Sequence, residues 1–169
     1  MEPATWGFIG TILGTIVGAS ASIFATYLNG KTSLNIQKST EKFQRDEIFR
    51  EFQRDNLLVL QEKLSQAMRL VTKAHLEDLE NYTKTGEWNI PLLSTELDNQ
   101  IGDTFRQVSI KIERIDDNVL RDEIKQLRIK MTDCLIAKSY EARQGNLLSL
   151  TKRFNNVMPK LGEVLRKNY

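Results

Sequence analysis

Hydrophobic residues are arranged along this chain in two different ways. From Trp6 to Leu28 they run together, WGFIGTILGTIVGASASIFATYL, for 23 residues without a charged side chain. Beyond Lys31 they return at steps of three and four among charged residues, the period of helices that bury one face. Leu57, Leu60, Leu64, Ala67, Val71 and Ala74 draw a first stripe. Leu97, Ile101, Phe105, Val108, Ile112 and Ile115 draw a second, and Leu120, Ile124, Leu127, Met131 and Cys134 or Leu135 a third. Leu147, Leu150, Phe154, Val157, Leu161 and Val164 draw the last.

The punctuation between stripes sets the elements. Residues 31–85 contain neither Pro nor Gly, which predicts one long helix, or two with a break near Asp55 and Asn56. Gly86, Trp88, Asn89 and Pro91 stop it, and Ser94 or Thr95 caps the next helix, with Asp98 in capping-box spacing. Asp116-Asp117-Asn118 separates the second stripe from the third, and Gly145-Asn146 predicts a turn before the last. Pro159 is expected to kink or split that final helix. Four amphipathic stripes with short connections predict an all-α chain: one N-terminal transmembrane helix, then a cytoplasmic antiparallel helical bundle. The expected divisions are a membrane segment at 1–30, a helical stalk at 31–54 and the bundle domain at 55–169.

As a helix the apolar run is about 35 Å long at 1.5 Å per residue, against roughly 30 Å of hydrocarbon. Helical geometry satisfies every backbone group internally, as lipid demands, and Trp6 and Tyr27 stand near the ends where amphipathic rings prefer the interface. A secretory signal would carry a basic leader, whereas Glu2 is the only charged side chain before the run. All 24 Lys and Arg follow Gly30. That asymmetry predicts a single pass through the cell inner membrane with the C-terminal region in the cytoplasm, where Asn81-Tyr82-Thr83 would not be glycosylated. Gly10, Gly14 and Gly18 recur every fourth residue, continued by Ser22 and Thr26. Such a small-residue row lets membrane helices approach closely, and it predicts a homo-oligomer.

Composition restricts the chemistry. One Cys and one His exclude a disulfide framework and a usual structural zinc set. No phosphate-binding loop, dinucleotide fingerprint, HExxH or GxSxG motif occurs, so neither an enzyme nor a cofactor or metal is expected. His75 and Asp78 are three apart on the first striped helix, a spacing at which a carboxylate can orient an imidazole, although a plain core or surface His is the stronger reading. Cys134 falls on the buried side of its stripe and reads as a small hydrophobe. Charge is polarised: residues 55–118 carry 7 basic and 12 acidic side chains, net −5, and residues 119–169 carry 11 and 5, net +6. The basic part either pairs with the acidic part or offers a patch to an anionic ligand. For the second case the expected site is Arg143, Asn146, Lys152 and Arg153, around a turn at Gly145.

A small-residue-rich span, Trp6–Leu28, joined to an all-helical region, Lys31–Tyr169, resembles the small membrane effectors of bacterial antiviral defence, in particular the cyclic-oligoadenylate-binding effectors of type III CRISPR systems. The resemblance lies in this layout over the whole chain, with no shared motif. It implies an oligomer whose soluble domains bind a cyclic oligonucleotide, repack Gly10, Gly14 and Gly18, and disrupt the membrane. Double-stranded nucleic acid is not expected as a partner. The competing expectation is a membrane-anchored scaffold whose bundle docks a partner protein without binding a nucleotide.

Overall fold

A computed structural model describes residues 3–88 and 93–169, with side chains from Gly7 onward. The described residues form four α-helices and no strand: α1 (Pro3–Thr85), α2 (Thr95–Ile112), α3 (Asn118–Leu135) and α4 (Tyr140–Lys167). Asn89 and Pro91, expected to help end the first helix, lie outside the described residues, as do Glu2 and the side chain of Trp6. The contacts divide the chain into two units, Met1–Ile48 and Phe49–Tyr169.

The first unit is the N-terminal part of α1, and it contains one stretch long and apolar enough to cross a membrane. Its apolar side chains have no cover within the chain: Ile23 is 71% exposed and Val17 68%. Three of its hydroxyls are already provided for. The hydroxyls of Thr11, Thr15 and Thr26 donate to the carbonyls of Gly7, Thr11 and Ser22 at 2.8–2.9 Å, so each side-chain donor is satisfied by the helix that carries it. A Cβ added at Gly10, Gly14 or Gly18 would meet nothing within 4 Å.

The second unit is held by the predicted stripes. Leu57, Leu60, Leu64, Ala67 and Val71 of α1 share one core with Val108 and Ile112 of α2, Ile124, Leu127 and Met131 of α3, and Leu150, Val157 and Leu161 of α4. Leu70 and Ala74 meet Leu97 and Ile101 in a smaller cluster. Polar contacts pair the elements end to end. The Gln53 and Asn56 amides donate to the Arg114 and Lys111 carbonyls, each at 3.0 Å. Arg54 donates to the Asn168 carbonyl at 2.7 Å, and Asn146 to that of Asp133 at 3.1 Å.

Several boundaries differ from expectation for identifiable reasons. No break occurs at Asp55-Asn56, because Asn56 is a buried residue whose amide serves the last turn of α2, where carbonyls lack intrahelical donors. For the same reason the compact unit reaches back to Phe49, so residues 49–54, expected in the stalk, belong with the core. Gly145-Asn146 is not a turn. Ser139 caps α4 six residues earlier, accepting from the Ala142 amide at 3.2 Å, and a glycine inside a helix costs only about 1 kcal/mol, less than Leu147 and Leu150 gain by burial. Pro159 does not split α4. Asn155, whose carbonyl loses its donor there, is exposed and can be hydrated. The remaining signals act as their residue types suggest: Gly86 ends α1 at φ 73°, Ser94 caps α2 and Asp117 caps α3.

Candidate functional site

Chemistry-bearing side chains gather where α1 ends beside the start of α4. Arg143, four residues into α4, turns inward to a 1% exposed side chain, and its Nη1 lies 2.6 Å from Oδ2 of Asp78, itself 5% exposed. The same nitrogen donates to the Leu135 carbonyl at 3.3 Å. Its guanidinium sits 5.7 Å over the Trp88 ring, a cation–π geometry. Trp88 donates through Nε1 to the Ala137 carbonyl at 3.1 Å, tying the chain just after α1 to the α3–α4 turn. Tyr82 and Tyr140 stack at 5.5 Å and both meet the Trp88 edge or face within 5.7 Å. The ion pair is thus shut off from water, with Trp88 lying over its guanidinium and Tyr82 and Tyr140 packed against that ring.

The electrostatics follow from that burial. Desolvation pushes the His75 pKa down, the Arg143 charge adds to the effect, and Asp78 opposes it. Burial raises Asp78 against the pull of Arg143, and lowers Arg143, which stays protonated because guanidinium starts so high. Cys134 is buried and its thiol is pushed up to about 11 by desolvation, which leaves it protonated and unreactive at neutral pH. Asp78 therefore does not orient His75 as its spacing suggested. Its carboxylate is bound to Arg143, and His75 Nδ1 is buried without a partner.

A histidine with a lowered folded pKa has a defined effect on stability. Between the folded pKa and the unfolded value near 6.5 the unfolded chain binds more protons, so stability rises with pH and is lost as pH falls through that window. Denaturant titrations at pH 7.5 and pH 5.5 are expected to show the wild type weakening in acid, by at most about 1.4 kcal/mol per pH unit from this group. His75→Phe should remove that part of the slope; an unchanged slope would refute the assignment.

The structure does not bring Arg143, Asn146, Lys152 and Arg153 together. Since Gly145 and Asn146 lie inside α4, the four residues project at 100° steps, and Lys152 falls about 180° around the helix from Arg143. Arg143 is neutralised by Asp78. Asn146 spends its amide on the Asp133 carbonyl. Lys152 is exposed. Arg153, half-buried, lines a different pocket of about 140 Å³ with Glu123, Asn156, Val157 and Lys160. Next to Gly145 lies an open groove of about 610 Å³, formed by His75 with Glu141, Gln144, Leu147, Leu148 and Thr151, whose charged wall is a carboxylate rather than a cation.

No family model, curated protein or solved structure matches this chain. The site therefore stands on its own geometry. Among the described residues no three His, Cys, Asp or Glu side chains converge as a metal set. Sequence reasoning placed Arg143 in a functional site and missed its partner, because Asp78 is 65 residues away and nothing in local spacing pairs them. Trp88, the lid of the cluster, was read only as part of a helix stop.

Proposed function

We propose that the protein is a single-pass inner-membrane effector: an oligomer anchored by residues 6–28, with an antiparallel helical bundle in the cytoplasm that binds an anionic ligand and, through the membrane helices, disrupts the bilayer. The observation that carries the reading is the uncovered apolar helix at the head of α1, with its threonine hydroxyls bonded to their own backbone. Water does not reward such a surface, and lipid does. The pairing of Gln53 with Arg114, Asn146 with Asp133 and Arg54 with Asn168 supports antiparallel neighbours. Open space at Gly10, Gly14 and Gly18 and the exposed Ser22 leave room for a second backbone, and the resemblance in layout to cyclic-oligoadenylate-binding effectors suggests the ligand class.

Cross-linking of the full chain in membranes tests the oligomer, and membrane potential in cells that also make cyclic oligoadenylate tests the response. The wild type should cross-link and depolarise the cells; the Gly14→Leu, Gly18→Leu double variant should do neither. Unchanged cross-linking in that variant, or polarised cells with the wild type, would contradict the reading. The open groove beside Leu147 and Leu148, the latter 75% exposed, favours a second reading in which the bundle docks a partner protein. That reading predicts a stoichiometric partner on purification and no nucleotide binding.

A further inference from the structure

The pocket between α3 and α4 holds two buried atoms of opposite polarity that lack partners: Nε of Arg153, a donor, and Oε2 of Glu123, an acceptor. Arg153, Asn156 and Lys160 stand at i, i+3 and i+7 and so share one face of α4, with Glu123 opposite on α3. Lys160 is ion-paired with Glu123 through Oε1. Arg153 has no ion pair among the described residues, so the pocket as a whole keeps one positive charge. A single water could bridge the two orphan atoms but would leave that charge uncompensated in a half-buried place, where it is costly. The volume of about 140 Å³ is also several times the roughly 30 Å³ that a water occupies.

From this we infer that Arg153, Asn156 and Lys160 form a binding site for a phosphate group carried by a hydroxyl-bearing compound. The phosphate oxygens accept from Arg153 and Asn156 and face the Lys160 ammonium, and a neighbouring hydroxyl of the same ligand donates to Glu123 Oε2. A guanidinium suits a phosphate in charge and in fork geometry. The same chemistry is found in soluble sugar and nucleotide phosphates and in lipid headgroups. The inference rests on the domain binding an anion, and it moves the site from Arg143 to a face of α4 about 80–140° around the helix.

The test uses the full chain in detergent micelles, with glycerol 3-phosphate, methyl phosphate and glycerol as probes. Glycerol 3-phosphate should bind best, methyl phosphate more weakly and glycerol not at all, and the Arg153 Nε–H resonance should move only with the two phosphates. Arg153→Met should weaken glycerol 3-phosphate roughly tenfold or more. Glu123→Ala, which removes the acceptor, should erase its advantage over methyl phosphate. The resonance gives a readout in the wild type, so the outcome does not depend on a variant folding. In nanodiscs, a shift on adding phosphatidylglycerol, whose headgroup carries both a phosphate and free hydroxyls, to phosphatidylcholine assigns the lipid source; a shift with the free compound alone assigns the soluble one. An Arg153 Nε–H that moves with neither overturns the site and leaves the anchored effector standing. A responsive Arg153 in a protein that never depolarises cells keeps the site and removes the effector.

Discussion

Arg143→Met is expected to lower the stability of the folded domain by about 3–5 kcal/mol, the range for removing one member of a buried ion pair. Most of that is the cost of leaving the Asp78 carboxylate in a low dielectric with no counter-charge, not the intrinsic strength of the pair. Asp78→Leu should cost a similar amount by stranding the guanidinium. The double variant, Asp78→Leu with Arg143→Met, should recover a large part of the loss, because two apolar side chains can pack where two charges had to be desolvated. Urea titration of the full chain in micelles, followed by Trp fluorescence, measures all three. Trp88 sits over Arg143, so its emission should shift in the single variants before global unfolding. Single-variant losses below about 1 kcal/mol would mean that the pair is hydrated.

The fold was legible in the sequence wherever a local rule decides. The uncharged, apolar run over Trp6–Leu28 marks the membrane candidate, and the steps of three and four from Leu57 to Val164 mark the faces that meet in the core. Gly86 reads correctly as a stop for the same reason; the cap expected at Ser94 or Thr95 falls on Ser94, and the break expected at Asp116-Asp117-Asn118 is capped by Asp117. What escaped was decided by tertiary context. Asn56 looks like a helix weakness until the end of α2 is placed beside it. Gly145-Asn146 looks like a turn until the burial of Arg143 on one side and Leu147 and Leu150 on the other fixes the helix through it. Arg143 shows the limit for the site: a basic residue near other basic residues suggests an exposed anion patch, and only the distant Asp78 and Trp88 reveal it as structural. Arg153, named for the same patch, finds its significance with Lys160, a residue from the next turns of α4, and with Glu123 across from them.

The second large effect concerns the span. Leu13→Arg with Val17→Arg, near the middle of the apolar run, should abolish integration, since each arginine costs about 2.5–3.5 kcal/mol at the centre of a membrane helix. Both positions are exposed and touch no core, so the helical domain should still fold. A variant that fractionates as the wild type does would show that residues 6–28 do not hold the protein in lipid.

The most direct measurement is the response of the wild-type chain to alkaline extraction and to protease added to sealed vesicles of either orientation. The anchored topology predicts that the full-length chain stays with the membranes at high pH. It also predicts cleavage of residues 31–169 only in vesicles whose cytoplasmic face is outward. Release into the supernatant without detergent, or cleavage from the opposite face, would contradict it.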